Sequence, residues 1–266
     1  MTDAQATTQE APVLSEVRDR VGIITFNRTA KFNCISTGLM QGTLTALDRF
    51  EADRQVRAVL LRGNGKCFCT GADLDEILAA RRSETDMRAF IGLIHRMLRR
   101  LEASPLPVIA AVHGLALAGG IEIVLACDVV FAADSARIGD QHAQYGLIPG
   151  GGGTQRLPRL VGLRRALDLM YTARWLDAAE AERWGLVNYV VPEAELSERA
   201  MDYCRGLAKR SRGSLAAMKR LSRQGLEGSL DAGLAMEEQE VGGGLLSDDV
   251  GEGLAAFRAR REPDFG

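Results

Sequence analysis

The apolar positions of the chain alternate between strand-like and helix-like spacing. Two short apolar runs, residues 13–17 and 21–27, flank a polar turn and predict a β-hairpin. Ser36 then predicts the cap of a helix that runs to about Asp53, and the apolar run 56–62 predicts a buried strand. A strand, a helix and a second strand in this order predict a right-handed crossover and a sheet covered by helices.

The alternation continues as far as residue 191, and helical spacing dominates after residue 177. Between Ser135 and the glycines at 150–153 the pattern predicts loops. The other predicted elements are helices over 85–103, 121–126, 211–226 and 230–246, and strands over 108–112, 129–132 and 187–191.

The composition is that of a globular protein with a large core. Of the 266 residues, 46% are apolar and 26% are charged, which is the usual globular mixture. The 33 basic and 35 acidic side chains leave a net charge of −2, so we expect neither a nucleic acid nor an anionic membrane as partner. No apolar run approaches the ~18 residues that span a membrane, and the first twelve residues lack the regions of a secretory signal.

The five cysteines are odd in number and widely separated, which favours a reducing, cytoplasmic location over a disulfide framework. Cys67 and Cys69 form a C-x-C pair, a spacing also found in redox and metal elements. No second thiol pair or histidine cluster completes such a site. We therefore interpret both residues as buried small side chains, and expect no metal and no separate cofactor.

Glycine, with 29 residues, is the one residue type in excess, and glycines cluster between Gly114 and Gly153. Within the segment 117–122 a strand ends and a helix begins, so unpaired N–H groups and the positive end of the helix face outward. Small residues there would let an anion or a developing oxyanion approach. A tight turn that needs glycine for packing is the more common cause, and both interpretations stay open. The spacing excludes a dinucleotide fingerprint and a P-loop.

One longer segment carries a family resemblance. Residues 109–132, IAAVHGLALAGGIEIVLACDVVFA, resemble the signature of the enoyl-CoA hydratase/isomerase (crotonase) family. The resemblance continues over nearly the whole chain, in order and with little need for gaps. It includes FNRTAKFNCI at 26–35, CFCTGADLDEI at 67–77, GLIPGGGGTQRL at 146–157, AEAERWGLV at 179–187 and an Arg-rich end at 258–261.

The resemblance implies an α/β fold built as a spiral of ββα repeats with two roughly perpendicular sheets. A C-terminal helical subdomain would pack subunits into trimers, often paired into hexamers. On this basis we divide the chain into a disordered tail over 1–12, a crotonase-like spiral core over 13–200 and a helical oligomerisation subdomain over 201–266.

The resemblance also implies an acyl-CoA thioester as substrate, with coenzyme A present only as part of that substrate. Two backbone N–H groups, those of Ala72 and Gly119, would form an oxyanion hole for the thioester carbonyl. The residues implied in contact with the acyl-CoA are Lys31, Ala72, Asp73, Leu74, Asp75 and Gly150, with Arg260 and Arg261 reaching the phosphates of CoA on a neighbouring subunit.

Hydratases of the family hold a water between two glutamates. The first position is Glu122, where a carboxylate in an apolar run is costly unless it is paired or does chemistry. The second position, twenty residues later, is His142. Histidine, with a reference pKa of about 6.5, can accept a proton from water but lacks the two acceptor oxygens of a carboxylate. Asp140 is the alternative acid or base, and we expect structural roles for His95 and His113.

Three hypotheses follow. The first is hydration of a 2-enoyl-CoA by Glu122 and His142 through a thioester enolate. The second is another reaction through the same enolate, either isomerisation with Glu122 alone or hydrolytic C–C cleavage of a β-dicarbonyl substrate with His142 activating water. The third is a non-catalytic acyl-CoA-binding oligomer.

Overall fold

The computed structural model describes residues 11–266. The strands in this part of the chain are β1 (Val13–Arg18), β2 (Val21–Phe26), β3 (Ala58–Gly63), β4 (Val108–Val112), β5 (Leu115–Leu117), β6 (Val129–Ala133), β7 (Arg137–Gly139), β8 (Trp175–Asp177) and β9 (Tyr189–Val191). The α-helices are α1 (Thr37–Ala52), α2 (Leu74–Ala80), α3 (Glu84–Ala103), α4 (Gly119–Ala126), α5 (Gly153–Val161), α6 (Leu163–Thr172), α7 (Ala178–Arg183), α8 (Leu196–Ala208), α9 (Arg212–Gly225), α10 (Leu230–Gly244) and α11 (Asp248–Ala259).

Two sheets organise these elements. The larger has the spatial order β1-β2-β3-β4-β6-β9, and the smaller has the order β5-β7-β8. The predicted hairpin is confirmed, since β1 and β2 pair antiparallel from Val13–Phe26 to Arg18–Val21, with Asp19 and Arg20 at positive φ in the turn. All the other pairs of the larger sheet are parallel. They require crossovers, which the helices supply.

The core lies between the larger sheet and its helices. Strands β2 and β4 are buried along their whole length, as a parallel sheet covered by helices requires. The predicted helices α1 and α3 begin at their serine caps, where Ser36 accepts from the amide of Leu39 and Ser83 from that of Asp86.

Four short elements are absent from the sequence prediction. The helix α2 has seven residues, and β5, β7 and β8 have three each. Three residues are too few for a period-two pattern to be recognised. The prediction of loops after Ser135 is thus wrong for β7, which is held by pairing with β5 and β8 rather than by its own pattern.

The C-terminal region is helical, as predicted, and α11 follows the two helices expected there. The boundary drawn at 200/201 falls inside α8, whose residues Ala200, Met201 and Cys204 all belong to the main core. No residue of α9, α10 or α11 belongs to that core. The tail expected over 1–12 lies outside the described residues except for its last two. No helix within residues 11–266 is both long and apolar enough to cross a membrane.

Candidate active site

Two turns that each lead into a helix, one before α2 and one before α4, come together beside the smaller sheet. In the first turn, the amide of Ile35 donates to the carbonyl of Gly71 and the amide of Asp73 donates to the carbonyl of Ile35, both at 2.8 Å. This pairing holds Ala72 between two fixed peptide groups. In the second turn, Ala118 precedes α4 and its amide donates to the carbonyl of Gly139 at 2.9 Å.

The backbone at the second turn is strained. Ala118 has φ 50° and ψ −117°, a conformation that residues with a Cβ rarely adopt and that costs about 1–3 kcal/mol. Gly71 has φ +111°, and a Cβ there would lie 3.0 Å from the Cβ of Ala118. Glycine at 71 is therefore required by its own conformation and by the close approach of the two turns.

The amides of Ala72 and Gly119 converge at this approach. A Cβ built on Gly119 would lie 3.6 Å from the nitrogen of Ala72. Within residues 11–266, neither N–H group donates to a protein acceptor, whereas the neighbouring amides of Asp73 and Ala118 do. Two unpaired donors that face one space are what an oxyanion hole needs.

Glu122 lies in the first turn of α4 with only 2% of its surface exposed. Its Oε1 accepts hydrogen bonds from the amides of Gly151 at 2.7 Å and Gly153 at 2.8 Å. Its Oε2 has no partner in the described chain and is not one of the fully buried atoms. Burial raises the pKa of Glu122 above its ordinary value, although the two amides oppose that shift. One oxygen is thus fixed and the other is free to meet a water or a substrate.

His142 lies beside a second buried carboxylate. Its Nδ1 is 3.0 Å from Oδ1 of Asp140, and its backbone amide donates to the same oxygen at 3.1 Å. Burial alone would lower the pKa of His142, but the hydrogen bond and charge of Asp140, together with the charge of Glu122, raise it. The Nε2 atom has no hydrogen bond with any described residue and is not fully buried.

The structure brings Glu122, His142 and Asp140 into one cluster. A Cβ at Gly153 would lie 3.2 Å from Oε1 of Glu122 and 3.6 Å from Oδ2 of Asp140. The charges of His142 and Asp140 both influence the pKa of Glu122, in opposite directions. The pair identified from the sequence, Glu122 and His142, therefore shares one site, and Asp140 belongs to it as well.

Two residues that the sequence analysis did not identify, Glu102 and Arg156, hold the loop that binds Glu122. Arg156 donates from Nη1 to the carbonyl of Gly151 at 2.5 Å. Its Nε and Nη2 bind the carboxylate of Glu102 at 2.6 and 2.7 Å. This bidentate ion pair fixes the glycine loop, residues 150–153, whose amides bind Glu122. No sequence signal linked Glu102 in α3 to Arg156 in α5, because their contact depends on the folded chain.

A family model described as enoyl-CoA hydratase/isomerase matches residues 16–266, a range that contains both turns and all three residues of the cluster. The chain belongs to this family.

Members of the family match over nearly the whole chain. The protein named "Probable enoyl-CoA hydratase" in Mycobacterium bovis is 37% identical over 253 residues, which cover 95% of this chain and 97% of that protein. The mitochondrial methylglutaconyl-CoA hydratase of Homo sapiens is 35% identical over 257 residues, which cover 95% of this chain and 75% of that protein. The crystal structure of enoyl-CoA hydratase from Bacillus anthracis has a TM-score of 0.91 at 37% identity, and the match covers 96% of this chain and 98% of that one. The fold is the crotonase fold that the resemblance implied.

The residues expected to contact CoA in this family member divide into two groups. Lys31 and Asp75 form an exposed ion pair at 2.8 Å, next to the exposed side chain of Leu74. Asp73 is instead buried, where it caps α2 and binds Arg28 at 2.7 Å. Although burial opposes the charge, the hydrogen bonds from Arg28 and from the amides of α2 lower the pKa of Asp73. These contacts give Asp73 a structural role in holding the segment of Ala72.

The remaining expected CoA contacts lie at other places in the chain. Gly150 faces Ile91, since a Cβ there would lie 3.0 Å from its Cδ1. Arg261 binds Glu252 at 2.5 Å and Arg260 ends α11 in the left-handed region. Within residues 11–266 no hydrogen bond or ion pair joins either arginine to the cluster around Glu122.

The other histidines and the C-x-C pair lie outside the cluster. Nε2 of His113 is 2.9 Å from the carbonyl of Gly65, a structural contact. Burial and two nearby arginines lower the pKa of His95. Cys67 and Cys69 are buried as expected, and burial raises the pKa of Cys69 to about 12, so it remains a thiol at neutral pH.

Proposed function

We propose that the protein is a lyase that adds water across the double bond of a 2-enoyl-CoA thioester. The observation that carries this proposal is the cluster itself, in which the free oxygen of Glu122 and the free Nε2 of His142 lie in one site. The unpaired amides of Ala72 and Gly119 would bind the thioester oxygen of the substrate. The family and its hydratase members support the same assignment.

The chemistry follows from these groups. The two amides bind the thioester oxygen and stabilise the negative charge that develops on it when the oxygen of water bonds to the β-carbon. The electron pair of the double bond moves toward the carbonyl and forms an enolate. A proton leaves the water for one of the two side chains, and a proton is delivered to the α-carbon. The sum of the steps is the addition of one water.

Glu122 and His142 are suited to this proton transfer for different reasons. Burial raises the pKa of Glu122 above its ordinary value, which makes its carboxylate a stronger base for the proton of water. His142 accepts a proton through Nε2 as long as it is neutral. Because each side chain offers one free acceptor atom, a single water can bridge them.

We also propose that the protein binds its substrate largely through the CoA portion of the thioester. No cofactor is needed beyond this CoA. Lys31, Leu74 and Asp75 lie on the exposed rim next to Ala72 and would contact the CoA. On this proposal the protein binds a CoA thioester far more tightly than the corresponding free acid. Calorimetric titration with both compounds measures the difference, and equal affinities would contradict the proposal.

We further propose that the protein forms a homotrimer or a homohexamer. The segment 212–259, which contains α9, α10 and α11, exposes many large apolar side chains, more than a monomer usually leaves in water. These are Met218, Leu226, Leu230, Leu234, Val241, Leu245, Leu246, Leu254 and Phe257. Arg260 and Arg261 follow these helices and would reach the CoA of a neighbouring subunit. Light scattering at micromolar concentration tests the assembly, and a monomer would contradict it.

The five unpaired cysteines support our expectation of a reducing, cytoplasmic environment.

The enzymatic proposal is tested with a panel of 2-enoyl-CoA esters. Hydration predicts loss of the enoyl absorbance and a product heavier by the mass of one water. The E122Q variant should lose this activity, whereas H95Q, which changes a histidine outside the cluster, should keep it. Isomerisation would change the position of the double bond without a change of mass, and would contradict the hydration proposal. Thioester binding without turnover of any ester would favour a binding protein instead.

A further inference from the structure

The side chain of Asp140 transfers no proton in the proposed water addition, yet only 1% of its surface is exposed and it directly contacts His142. We propose that Asp140 is a positioning residue that keeps the proton of neutral His142 on Nδ1, so that Nε2 is the atom that faces the reaction. The reaction assigned to Nε2 rests on the proposed function, whereas the position of the proton rests on the geometry alone.

The geometry settles which atom donates. Oδ1 of Asp140 receives two contacts from the same residue, the backbone amide of His142 at 3.1 Å and its Nδ1 at 3.0 Å. The amide can only donate, so Oδ1 acts as an acceptor there. An ionised carboxylate has acceptors and no donors, so Nδ1 must carry a proton to make the second bond. Neutral His142 then has its lone pair on Nε2.

The chain segment that carries Asp140 is fixed. Asp140 directly follows β7, which pairs with β5 on one side and β8 on the other. Only Gln141 separates Asp140 from His142, and the bond from the amide of His142 to Asp140 closes this short turn. The carboxylate is therefore held by the sheet, and the imidazole is held by the carboxylate. Since Nδ1 and the amide are both used, the ring cannot exchange its two nitrogens without losing the bond.

The charges around His142 come from two elements. Asp140, after β7, is in contact with the ring, and the charge of Glu122, from α4, also acts on it. Both are carboxylates, and both favour the protonated imidazolium. Oδ2 of Asp140 has no partner in the described chain. The only protein donors to Asp140 in that part are thus the two of His142, so the carboxylate is compensated mainly through this residue.

The variant D140N separates charge from geometry. An asparagine can place its side-chain oxygen where Oδ1 lies and accept from both donors of His142. The opposite orientation is disfavoured, because it would place the NH₂ group of asparagine against the N–H groups of His142. The hydrogen bonds and the tautomer are then kept, while the negative charge is lost. An opposite charge in contact shifts a pKa by about 1–3 units. We therefore expect the pKa of His142 to fall by about that amount in D140N. The variant D140A removes the bond as well and should yield a mixture of both tautomers.

The experiment is NMR spectroscopy of the purified protein labelled with ¹⁵N in histidine. The chain has only three histidines, and the variants H95Q and H142Q assign their signals. The proposal predicts that above its pKa the wild-type His142 ring is protonated on Nδ1 alone. A ring protonated on Nε2 would overturn it. This first result needs no change to Asp140, so it remains decisive if D140N does not fold.

Titration of D140N gives the second result. We expect the His142 signal to titrate at lower pH than in the wild type, with the signals of His95 and His113 unchanged as internal controls of the fold. An unchanged pKa of His142 in folded D140N would contradict the proposal. Because these measurements need no substrate, they are independent of the hydration assay. Lack of hydration would overturn the proposed function and leave the assignment of Asp140 standing.

Discussion

Glu122 is held by Gly151: Oε1 of the carboxylate lies 2.7 Å from the glycine nitrogen, although the two residues are 29 positions apart. The carbonyl of the same glycine accepts from Arg156 at 2.5 Å. A Cβ at position 151 would lie 2.6 Å from Oε2 of Glu122, so any larger residue there would displace the carboxylate. The orientation of the carboxylate, and of its free Oε2, is thus set by backbone amides of a loop made of glycines.

The variant E122Q tests the role of this carboxylate as a proton acceptor. Glutamine keeps an oxygen that can accept from Gly151 and Gly153, so the local geometry should persist. The base is lost, and we expect kcat to fall by ~10² to 10⁴-fold. Binding of a CoA thioester should hardly change, because the amides of Ala72 and Gly119 are untouched. Steady-state kinetics and calorimetry measure the two effects. An E122Q enzyme with near wild-type kcat would show that Glu122 moves no proton.

The variant R156M tests the support of the glycine loop. It removes the bidentate ion pair with Glu102 and the hydrogen bond from Arg156 to the carbonyl of Gly151. Hydrogen bonds to charged groups contribute about 1.5–3 kcal/mol, so we expect the free energy of unfolding to fall by about that amount. Because Glu122 is then less well fixed, kcat should fall about tenfold, equivalent to ~1.4 kcal/mol of barrier.

The matched control is R88M. Arg88 pairs with Glu84 on the surface of α3, where both side chains are more than three quarters exposed. Removing such a pair usually changes stability by less than about 1 kcal/mol, and kcat should not change. Urea unfolding and steady-state kinetics compare the two variants. If R156M behaves like R88M, the Glu102–Arg156 pair does not hold the loop.

The variant G120A tests the close packing behind the oxyanion hole. A Cβ at Gly120 would lie 2.1 Å from the carbonyl oxygen of Cys69, so the two turns would have to separate. We expect a loss of about 3 kcal/mol or more in unfolding free energy. Gly92 in α3 has nothing within 4 Å of such a Cβ, so G92A should instead stabilise the helix by about 0.5–1 kcal/mol. Thermal unfolding distinguishes them, and equal effects would contradict the packing described here.

The large elements of the fold were predictable from the sequence because they combine strong local signals. Helices α1 and α3 begin at serine caps and carry apolar residues at helical spacing, and β2 and β4 are continuous apolar runs. The small elements depend on distant partners. The strand β7 has three residues and forms only because β5 and β8 pair with it. Local reasoning could not detect it.

The same division holds in the site. The family motifs predicted Ala72, Gly119 and Glu122, which lie within contiguous segments, and His142 was predicted from its spacing of twenty residues after Glu122. The residues that hold them in place were not predictable in this way. Arg156 reaches Glu102 across 54 positions of the chain. Asp140 was predicted only as an alternative acid or base, whereas the structure places it in contact with His142. Its bond depends on a ring orientation that no sequence pattern encodes.

The pH dependence of hydration follows from the pKa of His142. Asp140 and Glu122 outweigh the effect of burial and raise this pKa above its ordinary value of 6.5. Only the neutral imidazole accepts a proton, so kcat/KM should fall as the pH drops through the raised pKa. The variant H142E restores two carboxylates and should keep or raise hydration without this decline near neutral pH. A wild-type rate that is constant across this range would contradict a role for neutral His142.

The most direct test of the two-group mechanism is the hydration rate of H142A beside that of E122Q, measured with one 2-enoyl-CoA ester at saturating concentration. If Glu122 and His142 share a water, both variants should lose hydration by ~10² to 10⁴-fold, while both still bind the thioester. If H142A hydrates the ester at the wild-type rate and E122Q does not, His142 takes no part, and Glu122 acts as a single base.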